Sequence, residues 1–579
     1  MDTFYTSEQN TLALIALMKS HDIRKVVVSP GSTNVCLVTG LQWDPFFELY
    51  STADERSAVY VACGLAAESG EPVALSCTGA TASRNYIPGL TEAFYRKLPI
   101  LAITSTLHEG RIGQNIPQII DRRAQLNDMV KLSVSIPTFH SKDDIWLYTV
   151  QINRALLELR RDGGGPVHIN LTTTYSKDFS TKSLPNVKTI RRYTSFDAFP
   201  NLPSGQIVIF VGDHRKWSAE LTQVVDDFCA KYDAVVLCDQ TSNYRGKYRI
   251  LANLIAAQTQ YDSPLLHAEL MIDLGNVSGS YMPCRANQVW RINPDGEVRD
   301  TYNKLRCVFQ MREEDFFIYY ASKKSEKSET RFYSQLVAER ERIAQKIPEL
   351  PFSNIWIAQH TASILPEHSI LYLGILNTLR SWNLFETPST VTCYSNTGGF
   401  GIDGGVSTLL GLSLADRQKL CFGVVGDLGF FYDMNALGNR HVGSNLRLIL
   451  VNNGRGTEFR NYSHIAARFG EDADPYIAAA GHYGNQSPVL VKHYAEDLGF
   501  EYMCASTKEE YLSNVRRFVD SNYAEKPMIF EVFTDNRLES KALEIMNHLE
   551  VSVSKSVKQI VKNVIGEKGV NAVKKILDK

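Results

Sequence analysis

No two cysteines stand in CxxC spacing anywhere in the chain, and no apolar run approaches the roughly twenty residues that a membrane-spanning helix needs. The first absence removes the common zinc and redox motifs, and the second removes a transmembrane anchor. The ten cysteines, from Cys36 to Cys504, fall mostly within apolar runs, the pattern of buried, reduced thiols in a cytoplasmic protein rather than of a disulfide framework. An excess of one charge is also missing. Lys and Arg total 61 against 63 Asp and Glu, for a net charge of −2, which leaves no broad basic surface for nucleic acid. Leu12 to Met18 has no basic stretch before it, so no signal peptide is expected, and Thr6-Ser7-Glu8-Gln9 reads as a helix cap. The middle of the chain holds nothing like GxGxxG, which argues against a dinucleotide there. Small molecules or other proteins are the expected partners.

What is present is alternation. Short β-branched runs at Lys25–Ser29, Val73–Cys77, Ile100–Thr104 and Val167–Leu171 are separated by helical patterns, which predicts a parallel sheet covered on both faces. The pattern restarts near Gln206–Gly212, continuing through Ala234–Leu237, Leu270–Leu274 and Gln288–Ile292. It restarts again with Ser369–Leu373, Thr390–Tyr394, Leu420–Val425, Leu446–Val451 and Met528–Phe533. The fold class expected is therefore α/β, with three doubly wound parallel-sheet domains at 1–185, 186–350 and 351–545. The charged segment Lys323–Thr330 and the helical spacing of Phe332–Ile347 read as a linker and a surface helix closing the second. Residues 546–579 form a tail in which Val557, Ile560, Val561, Val564 and Ile565 keep helical spacing among lysines. Three readings of it stand open: rest on an anionic membrane, contact with a partner protein, or packing back on its own chain.

Chemistry concentrates where Leu420–Val425 runs into Gly426-Asp427 and Leu446–Val451 runs into Asn452-Asn453. A crossover helix over Asp433–Leu437 would make both strands open on the same edge, so Asp427 and Asn453 meet at one cation. A carboxylate and an amide carbonyl are hard oxygen donors of the kind Mg²⁺ takes alongside phosphate oxygens. Taken alone, Gly-Asp and Asn-Gly are equally good as turn dipeptides after strands. Similarly, Glu55 opens a helix of small residues, Val59–Ala67, where a carboxylate ordinarily serves as a partner to the helix dipole. Ser29-Pro30-Gly31-Ser32 follows the first strand at the sheet edge where ligand-facing loops lie.

Together, Ser29–Ser32, Asp54-Glu55-Arg56, Asn85, Ser395-Asn396 to Gly404, Gly426-Asp427-Leu428 and Asn452-Asn453 resemble the thiamin-diphosphate enzymes, in particular the menaquinone-pathway synthases, over residues 1 to 545. The resemblance implies that 1–185 binds the aminopyrimidine, that 186–350 is a central domain and that 351–545 binds diphosphate and Mg²⁺. It also implies a cofactor shared between subunits of a homodimer or homotetramer. By matching motifs, Glu55 contacts N1′ of the aminopyrimidine and Ile402 supports the bent cofactor, with Asn85, Thr378, Ser407 and Gly426 close to it. Asp427, Asn453 and the main-chain carbonyl of Arg455 hold Mg²⁺. Gln114 faces the reacting intermediate, and Ser32, Thr33, Thr397 and Arg380 face substrate. The implied reaction is decarboxylation of a 2-oxo acid and transfer of the resulting enamine, an acyl-anion equivalent, to an acceptor.

The substrate side departs from the family. Thr33 and Thr397 stand where the synthases carry arginines, and Trp382 stands where a third is expected, with Arg380 nearby. Charge-assisted contacts contribute about 1.5–3 kcal/mol each, so their loss points to a different acceptor. Arg84, Arg96, Arg111 and Arg455 are other cations available for this role or for the surface, and His108 is open to proton transfer or to a plain loop role. Besides the carboligase, two alternatives remain: a simple decarboxylase of a substituted pyruvate, and a catalytically silent structural or regulatory relative.

Overall fold

A computed structural model describes residues 4–280, 284–323, 331–481, 487–522 and 525–551. Most of the tail reading, from residue 552 onward, and residues 324–330 of the charged linker lie outside these. The chain divides into two compact units, Met1–Ala198 with Asp295–Gln310, and Phe199–Pro294 with Met311–Lys579. Among the described residues no helix is long and apolar enough to cross a membrane.

Strands are numbered along the chain. In the first unit Lys25–Val28 (β1), Glu48–Ser51 (β2), Val73–Cys77 (β3), Ile100–Thr106 (β4), Leu132–Ile136 (β5) and Val167–Thr172 (β6) form a parallel sheet in the order β2-β1-β3-β4-β6-β5. Arg191–Tyr193 (β7) pairs in parallel with Leu305–Phe309 (β13). Strands β3, β4 and β6 are buried along their whole length, as helices on both faces require. The helix carrying Glu55 runs Glu55–Ser69, longer at both ends than its small-residue stretch suggested. Its start is set by Asp54, whose carboxylate accepts from the Arg56 and Ser57 amides, and its end by Gly70 at φ 67°. Ala58, Val59, Ala62, Cys63 and Ala66 form its buried face. Helix Ile87–Tyr95 approaches that face so closely that a Cβ on Gly89 would lie 2.6 Å from Val59 Cβ.

The second unit contains Ile207–Val211 (β8), Val235–Cys238 (β9), Arg249–Leu251 (β10), His267–Leu274 (β11) and Arg285–Ile292 (β12), side by side in the order β10-β9-β8-β11-β12. It also contains Ile370–Leu373 (β14), Thr392–Tyr394 (β15), Cys421–Gly426 (β16), Leu446–Asn452 (β17), Glu501–Ala505 (β18) and Met528–Phe533 (β19), a parallel sheet in the order β15-β14-β16-β17-β19-β18. The architecture is α/β, built on parallel sheets alone.

Several local expectations change. The crossover after β16 does not wait for Asp433: a helix starts at Asp427 itself, runs Asp427–Asp433 and passes into a 3₁₀ turn, Met434–Gly438. The first helix, Gln9–Ser20, has Glu8 at its N-cap with no side-chain capping bond. The Glu8 carboxylate instead accepts from Thr11, from the Thr173 and Thr174 hydroxyls and from the Thr174 and Ser176 amides, tying the helix start to the chain that follows β6. The helix expected at the surface near Phe332 spans Arg331–Ala344 and is amphipathic, burying Phe332, Leu336 and Ile343. All ten cysteines are unpaired; nine are buried and Cys504 is exposed.

Candidate functional site

In the third sheet, Gly426 of β16 pairs with Val451 of β17, and Asn452 pairs with Phe533 of β19. The residues that follow, Asp427 and Asn453, therefore leave neighbouring parallel strands at their carboxyl ends, where ligands of such sheets bind. Asp427 is 4% exposed. Its carboxylate accepts from the Leu428 amide at 2.8 Å and the Gly454 amide at 2.6 Å. Burial pushes this carboxyl up to about 6, while the main-chain N–H groups around it, from Leu428, Gly454, Asn453 and Arg455, pull the other way. The side-chain carbonyl oxygen of Asn453 is buried and has no hydrogen-bond partner. Such an acceptor costs about 1–3 kcal/mol when left unmet.

Asp427, Asn453 and Arg455 line one cavity of about 120 Å³ together with Thr378, Ile402 and Gly426. A buried carboxylate beside an orphaned amide oxygen is a donor set that fits Mg²⁺, since both ligands are hard and one of them lacks any other partner. Below the cavity Asn354 donates to the Thr378 hydroxyl at 3.0 Å. The Asn354 main-chain amide sits 3.0 Å from both carboxylate oxygens of Glu539, which also accept from Thr534 at 2.6 Å. Burial raises Glu539 to about 7. On the other side Asn452 donates to Glu531 at 2.7 Å, and Tyr502 donates to the same carboxylate at 2.8 Å. The acid inside the apolar run Met528–Phe533 was the one sequence signal for this support; Asn354 and Glu539 offered none.

Not every expected residue joins this cavity. Ser407 is spent on Asp433, to which its amide and hydroxyl both donate at 2.6 Å. Arg380 pairs with Glu458 at 2.6 Å and lines a neighbouring cavity of about 380 Å³. Thr397 is 2% exposed. The Arg455 guanidinium pairs with Asp474, which also holds Arg460.

The first unit carries the other set. Glu55, half-buried at the start of its helix, accepts from Asn85 Nδ2 at 3.1 Å. Ser32 is exposed, whereas Thr33 is locked: its hydroxyl meets that of Thr78 at 2.6 Å and donates to the Ser105 carbonyl at 2.9 Å. Gln114 is exposed just beyond the turn Glu109–Arg111. His108 caps the turn Glu109–Arg111, its Nδ1 accepting from the Gly110 amide at 3.1 Å.

Residues 11–125 match the family model described as "Thiamine pyrophosphate enzyme, N-terminal TPP binding domain". The 2-succinyl-5-enolpyruvyl-6-hydroxy-3-cyclohexene-1-carboxylate synthase of Phocaeicola vulgatus is 31% identical over 564 residues, covering 94% of this chain and 99% of its own length. The synthase of the same name from Bacteroides fragilis is 30% identical over 565 residues with the same coverage. That of Flavobacterium johnsoniae is 28% identical, covering 90% and 95%. Among solved structures, a thiamine diphosphate-dependent 4-hydroxybenzoylformate decarboxylase from Rhodococcus jostii RHA1 is similar at 16% identity and a TM-score of 0.39, covering 91% of this chain and 99% of that one.

Proposed function

We propose, on the premise that the chain belongs to the thiamin-diphosphate-dependent family of the 2-succinyl-5-enolpyruvyl-6-hydroxy-3-cyclohexene-1-carboxylate synthases, that it is a Mg²⁺-dependent carboligase. It decarboxylates a 2-oxo acid and passes the retained acyl fragment to an acceptor. The observation that carries this reading is the orphaned Asn453 amide oxygen beside the buried Asp427 carboxylate. Thiamin diphosphate, when bound, supplies the electron sink that makes loss of CO₂ from such an acid feasible.

The chain's own residues divide the work. Asp427, Asn453 and the Arg455 carbonyl would hold Mg²⁺, and Thr378 and Gly426 line the same cavity for the diphosphate. Glu55, steadied by Asn85, would share a proton with the ring nitrogen of the aminopyrimidine and so fix its tautomer. Ile402, on the cavity wall, would press the cofactor into its bent shape, which contributes orientation rather than charge. Gln114, exposed on its loop, is the proposed contact to the reacting atoms.

One observation favours a second reading, a simple decarboxylase. Thr33 is consumed by Thr78 and Ser105 and Thr397 is buried, so neither supplies the cation an acidic acceptor would need. A screen of 2-oxo acids with and without aldehyde or enone acceptors, following CO₂ and product mass, separates the two. A ligated product supports the carboligase; CO₂ release with only the protonated aldehyde formed supports the decarboxylase. Glu55→Gln should keep cofactor binding and lose nearly all turnover; unchanged turnover would overturn the role given to Glu55.

A further inference from the structure

Arg122 is 2% exposed in the first unit, and among the described residues no carboxylate forms an ion pair with it. Its Nη2 donates to Asn170 Oδ1 at 2.8 Å and, more weakly, to the Ser105 carbonyl at 3.4 Å; its Nε and Nη1 are buried with no partner. A buried guanidinium ordinarily comes with an acid, because desolvation without a counter-charge is strongly unfavourable. Desolvation here pulls the group down to about 10; Cys77 acts against that shift and the charge of Arg84 adds to it. Arg84 is exposed, and its own polar contact is the Asp121 carbonyl at 2.8 Å. Asp121, the nearest acid in sequence, is committed to Arg123 at 2.7 Å. Arg84 and Arg122 thus act on each other as like charges, with the Asp121 carboxylate acting on Arg84 and no ion pair to Arg122 among the described residues.

Their location is specific. Arg122 and Thr33 share the Ser105 carbonyl, so the guanidinium lies close to the place where the residue at 33 offers only a hydroxyl. Arg84 lies in the helix Thr81–Asn85, next to the Asn85 that donates to Glu55. At Gly79 a Cβ would stand 3.3 Å from Arg122 Nη1 and from the Gln118 carbonyl. The glycine therefore lets the backbone pass close to the guanidinium, where a methyl would be crowded.

We propose that Arg122, with Arg84 above it, is a carboxylate-anchoring subsite, taking an acid group of the substrate at the edge of the first sheet and doing the task that an arginine at position 33 would do. The subsite rests on the acid-substrate reading above. The carboxylate meets Arg84 at the surface and reaches Nη1 of Arg122 as residues 118–122 shift. That segment is held to Arg84 by a single carbonyl contact. A single charge-assisted bond from the unused Nη1, with Arg84 as the second cation, suits an acid group.

The test uses the full chain in two forms. Without cofactor, thermal stability is followed with oxalate or succinate at constant ionic strength, with succinamide as the neutral control. Wild type should be stabilised by the acids alone, and Arg84→Gln and Arg122→Met should each lose that response, with Arg122→Lys recovering part of it. With cofactor, both variants should raise KM for the 2-oxo acid at least about tenfold while kcat and the thiamin diphosphate Kd change little. A structural role predicts instead that Arg122→Met melts lower and leaves KM unchanged, which would overturn the proposal. So would an equal response of wild type and variants to the acids. The cofactor-free arm is read even if thiamin diphosphate fails to bind, so a failure of the cofactor reading stays distinct from a failure of the subsite.

Discussion

Asn453 keeps an acceptor buried and unmet, and Arg122 keeps two donor nitrogens in the same condition; each is a place where a bound group would gain a partner. For Asn453 the consequence is measurable. Asn453→Ala removes an acceptor whose burial is unfavourable by about 1–3 kcal/mol, so the metal-free variant should melt no lower than wild type. The Mg²⁺-dependent part of stabilisation by thiamin diphosphate should disappear, and calorimetry with and without EDTA reads both effects. Glu539 carries a pH signature. Burial raises it from 4.5 to about 7, so between those values the folded chain binds more protons than the unfolded one. Stability from this group is then complete below about pH 4.5 and is lost as pH rises through 7. Glu539→Gln has no such titration, and its stability relative to wild type should improve by roughly 2–3 kcal/mol between pH 4.5 and 8 in urea denaturation, the size expected for a shift of about two units. A gap independent of pH would contradict the assignment. The two candidate acids Asp427 and Glu55 stood out as residues because one follows an apolar run and the other opens a small-residue helix. Arg122 was not, since nothing local distinguishes a buried arginine in a loop from a solvated one.

At the level of elements, legibility follows periodicity. Strands buried on both faces, such as β3, β4 and β17, are continuous apolar runs and could be read within a residue or two. Short or partly exposed strands such as β2 and β18 could not, because half-buried segments lose the apolar signature. The helix after β16 was misplaced for a physical reason: Gly426-Asp427 reads as a turn, yet Asp427 starts the helix while its carboxylate accepts from the Leu428 and Gly454 amides. That start holds the carboxylate at the strand end instead of leaving it on a loose turn. The Glu55 helix is held in turn by its packing partner. Gly89→Ala would place a methyl 2.6 Å from Val59 Cβ, so helix Ile87–Tyr95 must move away. The expected destabilisation is about 1–3 kcal/mol by urea denaturation, with a fall in turnover larger than the fall in stability explains, because Glu55 opens the helix that carries Val59 and Asn85 stands two residues before helix Ile87–Tyr95. A neutral substitution would show that this packing does not position the acid.

Across the whole molecule, parallel sheets recur three times, and the chain matches its relatives over nearly their full length. The α/β class and the family were therefore readable from spaced motifs, whereas the substrate was not. The proposed substrate contacts come from distant segments, at Thr33, Arg84 and Arg122, whose spacing carries no motif. The same reading expects a homodimer or homotetramer, which light scattering of the purified chain decides. The central claim is cofactor binding through Mg²⁺ at Asp427 and Asn453, and titration of thiamin diphosphate into the purified protein, with Mg²⁺ and with EDTA, tests it most directly. The account predicts saturable binding with Mg²⁺ that raises stability by about 2.7 kcal/mol at one hundred times Kd, and a large loss of affinity in EDTA. Binding that is absent, or that is the same with and without the metal, would contradict it.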